Sequence, residues 1–72
     1  MSVIWEAKLD DRYECKVVQI DEHRGCLTVI DQDNTVLLNN IVDLMYGAVF
    51  GPDISDINNW QEQCLGAVPE LD

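Results

Sequence analysis

Three short polar segments divide the first 38 residues into four apolar runs, and this spacing restricts the fold more than any other feature. The segments are Asp10-Asp11, Asp21–Gly25 and Asp31–Asn34. Asp, Asn and Gly favour tight turns, because they tolerate left-handed backbone conformations or bond to nearby backbone groups. Short runs rich in β-branched residues between such turns predict antiparallel strands that follow one another as a meander.

The first two runs have the period of half-buried strands. The apolar residues Val3, Trp5, Ala7 and Leu9 alternate with Ile4, Glu6 and Lys8, and apolar and polar residues alternate again from Tyr13 to Val17. Val18 and Ile20 then extend the second run with the opposite phase. This change of phase predicts a bulge or a strongly curved second strand.

The segment Asn39–Gly51 has no clear period. Its two leading asparagines are typical of a turn or of a cap for one helical turn. A fifth strand through Ile41, Asp43 and Met45 is the other interpretation, and a short strand or extended segment is favoured. Strands are therefore expected between about residues 2 and 45.

The last third predicts one amphipathic helix from Ile54 to about Ala67. Pro52 cannot continue a central strand, Asp53 or Ser55 can cap a helix, and Pro69 marks its end. Apolar residues recur mostly at three- and four-residue steps, at Ile54, Ile57, Trp60, Cys64, Leu65 and Val68.

A chain of 72 residues has room for a single domain, which spans residues 1–72. The elements predict an α+β fold: a small curved antiparallel meander of four to five strands with one C-terminal amphipathic helix. An SH3-like barrel closed by the helix and a sheet with the helix across one face both fit the strand count. The hydrophobic fraction of 47% is typical of a folded domain rather than an acidic disordered tail.

The charge is strongly negative and unevenly distributed. Fourteen acidic and four basic residues give a formal net charge of −10, and residues 31–72 contain eight acidic residues and no basic ones. Phosphate backbones and anionic membrane surfaces repel such a chain. Direct binding to nucleic acid or to a membrane is therefore not expected.

The cysteines predict neither disulfides nor a zinc site. Cys15, Cys26 and Cys64 form no C-x-x-C motif, and His23 is the only histidine. Such thiols are typical of small core residues in a reducing compartment. With no signal peptide and no apolar run near the ~20 residues of a membrane span, the chain is expected to be soluble and cytoplasmic, without metal or cofactor.

No catalytic constellation is apparent. His23 could pair with Cys15 or Cys26 on the strands that flank its turn, as in a Cys-His nucleophile. A turn tip, however, supplies no enclosed pocket, and a solvated histidine beside two core thiols is the favoured interpretation.

Two ligand-binding motifs are incomplete. The segment Asp31–Asp43 begins like a calcium loop, but Val36 and Val42 occupy the positions of its glycine and its bidentate glutamate. Gly47 and Gly51 lack the lysine and hydroxyl of a P-loop. We therefore expect no enzymatic activity.

The aromatic residues allow two interpretations. Four of them could form a cage for a methylated lysine or arginine, with an acid beside it. These residues are Trp5, Tyr13, Tyr46 and Phe50, with Asp43 as the acid. For Trp5 and Trp60 the favoured role is the core of a small domain.

The sequence therefore predicts a small acidic, non-enzymatic protein–protein interaction module whose partner has a basic surface. Homodimerisation through exposed apolar residues such as Met45, Val49 and Phe50 is a further expectation. The predicted partner-binding residues are Asp43, Met45, Tyr46, Val49, Phe50, Asp53 and Asp56.

The alternative function is an inhibitor that mimics nucleic acid and occupies the site of a basic DNA- or RNA-binding protein, as small phage or mobile-element proteins do. This hypothesis requires carboxylates that are aligned on one face with the spacing of phosphates. The carboxylates concerned are Asp31, Asp33, Asp43, Asp53, Asp56 and Glu62.

Overall fold

A computed structural model describes residues 2–68 and shows a four-stranded antiparallel sheet followed by one helix. The strands lie in the order β1-β2-β3-β4, so each pairs with its neighbour along the chain. The elements are β1 (Val3–Leu9), β2 (Tyr13–Gln19), β3 (Arg24–Ile30), β4 (Val36–Asp43) and α1 (Ile54–Ala67). The predicted α+β meander is confirmed, and the helix has its predicted bounds.

The sheet is open, with β1 and β4 at its two edges, so the SH3-like barrel is not confirmed. No fifth strand forms within residues 2–68. Asn39 and Asn40 do not form a turn but continue β4, which stays paired with β3 as far as Asp43. The ladder pairs Asn39 with Thr28 and Asn40 with Leu27, and the Asn40 side-chain amide donates to Gln63 Oε1 at 3.2 Å.

The polar segments form the predicted turns, except that Arg24 and Gly25 of the second segment already belong to β3. Asp10 and Asp11 have φ angles of 54° and 56°, the left-handed pair that a type I′ hairpin turn requires. In the β3–β4 turn, Asp31 Oδ1 accepts from the backbone N–H groups two and four residues later, at 2.8 and 2.9 Å. These acids therefore have a local structural role in ending the strands.

The bulge predicted in the second strand is found instead in the two edge strands. β2 pairs with β3 without a shift of register. In contrast, the register shifts in β1 around Ile4 and in β4 around Leu37. The phase change in β2 has another cause: Val18 points to the second face of the sheet, opposite Val3 of β1 and Cys26 of β3.

The helix covers one face of the sheet and forms the core with it; the other face is called here the open face. Trp60 of α1 is fully buried, and Trp5 of β1 packs against it with 5.7 Å between the ring centroids. Both tryptophans belong to the core, as predicted. The buried apolar residues are Cys15, Val17, Leu27, Val29, Val42, Leu44, Trp60, Cys64 and Val68.

The helix begins with a capping box. Asp53 is the N-cap and accepts from the Ser55 N–H at 3.2 Å, while Asp56 Oδ2 accepts from the Asp53 N–H at 3.2 Å. Pro69, predicted to mark the helix end, lies outside the described residues. Within residues 2–68, no helix combines the length and the apolar character needed to cross a bilayer.

Candidate functional site

The predicted partner-binding residues concentrate in residues 44–53, here called the connector, which joins β4 to α1. Within it, Leu44 and Gly47 are buried. Four large apolar side chains are exposed, by 59% for Met45, 58% for Tyr46, 81% for Val49 and 84% for Phe50. The connector therefore presents apolar side chains to solvent from a backbone that is packed against the domain.

Two backbone hydrogen bonds fix the connector to the β2–β3 turn. The Leu44 N–H donates to the His23 carbonyl at 2.8 Å, and the Ala48 N–H donates to the Glu22 carbonyl at 2.7 Å. Gly47 lies between them with φ +82°, and a Cβ added there would lie 3.3 Å from the Glu22 carbonyl oxygen. Glycine suits this position because it combines a positive φ with close backbone approach.

Asp56 holds the connector from the side of the helix. Its side chain is buried, and Oδ2 accepts from the Met45 N–H at 3.3 Å as well as from the Asp53 N–H at 3.2 Å. These bonds tie both ends of the connector to the first turn of α1. Although Asp56 is among the predicted partner-binding acids, this burial favours a structural role for its carboxylate.

An open groove of about 400 Å³ lies on the exposed side of the connector. It is lined by Tyr46, Phe50, Gly51, Pro52 and Asp53. The pKa of Asp53 lies below its ordinary value, because its carboxylate accepts hydrogen bonds from the side chain and the backbone N–H of Ser55. The groove therefore combines two aromatic rings with a carboxylate that is ionised at neutral pH.

The end of the sheet that carries the connector is acidic. Asp21 and Glu22 lie in the β2–β3 turn, Asp43 ends β4, and Asp53 lines the groove. Arg24 Nη2 lies 2.6 Å from Asp21 Oδ2, and the Arg24 hydrogen bond lowers the pKa of that carboxyl. Because this guanidinium is already paired, an approaching partner meets mostly negative charge.

The four aromatic residues considered for a cage are not brought together. Tyr46 and Phe50 share the groove. Tyr13 lies at the opposite end of the sheet, where the Arg12 guanidinium carbon is 5.4 Å from its ring centroid. Trp5 packs in the core, and Asp43 does not line the groove.

The thiols and the histidine have separate environments. Cys15 and Cys64 are buried in the core, and this burial raises the pKa of both thiols, that of Cys64 to about 12. Cys26 lies on the open face, where its Sγ donates to an asparagine of β4 at 2.8 Å. His23 is exposed in the β2–β3 turn. In the described part of the chain, no three metal-ligating side chains are close enough to hold an ion.

The carboxylates required for nucleic-acid mimicry occupy different parts of the molecule. Asp31 and Asp33 lie in the β3–β4 turn, at the opposite end of the sheet from the connector. Asp56 is buried, and Glu62 is exposed on α1. This distribution does not favour mimicry, which stays a prediction.

Sequence reasoning missed the open face of the sheet. An apolar row crosses all four strands there, formed by Val3, Val18, Cys26 and Ile41 in register. Its two ends, Val3 and Ile41, are 49% and 59% exposed. The sequence signal for this face is the phase change at Val18, which indicates a second apolar row rather than a bulge.

Comparisons of the chain with protein-family models, curated proteins and solved structures find no significant match.

Proposed function

We propose that this chain is a non-enzymatic, cytoplasmic protein-interaction module that binds a partner with a basic surface through the connector. The contact residues are Met45, Tyr46, Val49 and Phe50. The observation that carries the proposal is the exposure of Val49 and Phe50, more than four-fifths each, on a segment whose backbone is held in place.

The connector is suited to binding because little order has to be gained when a partner arrives. Leu44 and Gly47 are buried in the domain, and Asp56 satisfies backbone N–H groups at both ends of the segment. A pre-ordered surface avoids part of the entropy cost of association. Aromatic anchors that become fully desolvated are typical hot spots of protein interfaces.

The apolar surface is large enough to contribute to affinity. Val49 and Phe50 are adjacent and protrude from the same turn. Removing roughly 200–300 Å² of apolar surface from water contributes about 5–7 kcal/mol before the costs of association are subtracted. Exposed apolar side chains clustered in one segment are also typical of interaction sites.

The charge favours a basic partner. The formal net charge is −10. Glu22 and Asp43 lie beside the connector, and both are exposed. Complementary charge accelerates association and selects against acidic partners. Binding is therefore expected to weaken as the salt concentration rises, since screening shortens the range of the attraction.

A capture experiment with paired variants tests the proposal. Three proteins are immobilised after circular dichroism has shown that each is folded. They are the wild type, a Val49→Ser/Phe50→Ser variant and a matched Val36→Ser/Leu37→Ser variant. Val36 and Leu37 are also exposed, but they lie in β4 far from the connector.

We expect a basic protein that binds the wild type and the β4 variant at low salt and is lost from the connector variant. The captured protein is then purified, and its direct binding is measured. Equal capture by both double variants would contradict the proposal.

A further inference from the structure

We propose that the connector groove receives the guanidinium group of an arginine side chain from a basic partner segment. The inference rests on the function proposed above and names the chemical group that the connector recognises. Tyr46 and Phe50 supply the ring faces, and Asp53 supplies the negative charge.

The size and composition of the groove suit one long side chain. Its volume of about 400 Å³ is near the lower end of the range of about 300–1,000 Å³ for ligand pockets. Tyr46, Phe50, Gly51 and Pro52 line it together with Asp53, which is the one charged residue among its described lining residues. An arginine side chain has the same distribution, with an apolar stem that ends in a charged group.

The chemistry favours arginine over lysine. A guanidinium is planar, stacks on aromatic faces, and donates to carboxylates in a fixed fork geometry, whereas an ammonium is a compact and strongly hydrated point charge. Tyr46 and Phe50 provide the stacking surface, and Asp53 provides the carboxylate.

Asp53 can accept further hydrogen bonds although it caps the helix. Its Oδ2 accepts from the backbone N–H of Ser55 at 3.2 Å and from the Ser55 hydroxyl at 2.7 Å. An ionised carboxylate offers about four acceptor sites. The cap bonds fix the position of the carboxylate and favour its charged form, so the group is pre-oriented before any ligand arrives.

The surroundings of the groove add selectivity for a cation. Glu22 and Asp43 increase the negative potential at this end of the sheet, and the positive charge of Arg24 is paired with Asp21. This end of the sheet is complementary in charge to a cationic segment. A basic partner therefore fits the groove better than a second copy of this acidic chain.

The test is an NMR titration of the ¹⁵N-labelled full chain with a hexaarginine peptide. Parallel titrations use hexalysine and hexacitrulline, and hexacitrulline is an uncharged isostere of hexaarginine. We expect hexaarginine to shift the backbone amides of residues 44–53. Hexalysine should bind more weakly, and hexacitrulline should leave these amides unshifted.

Three variants separate the groove from general attraction between opposite charges. Phe50→Leu retains apolar volume but removes the ring face, and should weaken hexaarginine binding about five-fold. Asp53→Asn retains the helix cap, since Asn caps as well as Asp, but removes the charge, and should weaken binding by a similar factor. Asp33→Asn removes the same charge from the distant β3–β4 turn and should change affinity less than about two-fold.

The inference is overturned if hexaarginine shifts all the acidic turns alike, if Asp33→Asn weakens binding as much as Asp53→Asn, or if Phe50→Leu has no effect. Its failure differs from failure of the proposed function. If the captured partner still depends on Val49 and Phe50 while hexaarginine leaves the groove unshifted, only the arginine inference is wrong. If hexaarginine binds in the groove but capture does not depend on these residues, the interaction proposal is wrong.

Discussion

At the scale of single residues, two buried residues, Asp56 and Gly47, hold the connector in place. Asp56 accepts from the N–H groups of Met45 and Asp53, and Gly47 takes a positive φ against the carbonyl of Glu22. Each of these features keeps the exposed residues in place. Their loss should therefore lower the stability of the protein. It should also weaken binding, because the connector would become disordered.

Replacing Asp56 by alanine should lower the free energy of unfolding by about 2 kcal/mol, because two backbone N–H groups lose their acceptor and the capping box is broken. Urea unfolding followed by circular dichroism measures the change. Glu62→Ala, on the exposed side of the same helix, is the control and should change stability by less than about 0.5 kcal/mol. Equal effects of the two substitutions would show that the Asp56 bonds contribute nothing.

Two glycine-to-alanine substitutions should change the stability of the protein in opposite directions. Gly47→Ala forces a positive φ on alanine and places Cβ 3.3 Å from a carbonyl oxygen, so it should destabilise the protein by about 1–2 kcal/mol. Gly66 lies within α1, and a Cβ there would meet nothing within 4 Å. Gly66→Ala should therefore stabilise by about 0.5 kcal/mol. Thermal unfolding of both variants checks the signs, and a stabilising Gly47→Ala would contradict the described path of the connector.

At the scale of elements, the helix N-terminus makes stability depend on pH. The cap bonds lower the pKa of Asp53 in the folded state below the ordinary value of 3.8. The unfolded chain therefore binds more protons between the two pKa values, so stability rises with pH in that window. The stabilisation is present above pH about 3.8 and is lost as the pH falls through the folded-state pKa.

Asp53→Asn should remove the Asp53 contribution to acid sensitivity while retaining the cap. Urea midpoints measured from pH 6 down to pH 2 should fall less steeply for this variant than for the wild type. Asp33→Asn, in a turn remote from the helix, serves as the comparison. Parallel curves for wild type and Asp53→Asn would contradict the role assigned to the cap.

Local sequence signals predicted most of the helix and turn positions. The features that were not predicted depend on contacts between elements that are distant in sequence. The helix bounds Ile54–Ala67 and the turn at Asp10-Asp11 follow from caps and turn residues that act over a few positions. The continuation of β4 through Asn39 and Asn40 depends on its ladder with β3, which is distant in sequence. The inward turn of the connector at Gly47 likewise depends on contact with the β2–β3 turn, and so no local period reveals it.

At the scale of the whole molecule, one helix on a four-stranded sheet leaves substantial apolar surface exposed. The connector lies at the end of the sheet, against the β2–β3 turn, whereas the row from Val3 to Ile41 crosses the open face. A formal net charge of −10 opposes the approach of a second identical molecule. Self-association and binding to a basic partner should therefore respond to salt in opposite directions.

If the connector also forms a homodimer, the dimer fraction should rise with salt, because screening reduces the repulsion between two acidic chains. Sedimentation velocity at about 200 μM protein, in 50 and 500 mM NaCl, measures this fraction; these conditions are chosen to span weak and strong screening. Phe50→Ser should return the protein to the monomer, while Val36→Ser should not. A monomer mass in both buffers would rule out the predicted homodimer.

The most direct test of the central claim is the dissociation constant of the purified basic partner for the wild type, Phe50→Ser and Val36→Ser, measured by calorimetry in one low-salt buffer. Phe50→Ser should weaken binding at least about ten-fold, as expected for a buried aromatic anchor. Val36→Ser should stay within about two-fold of the wild type. Equal affinity of all three proteins would show that the connector is not the contact surface.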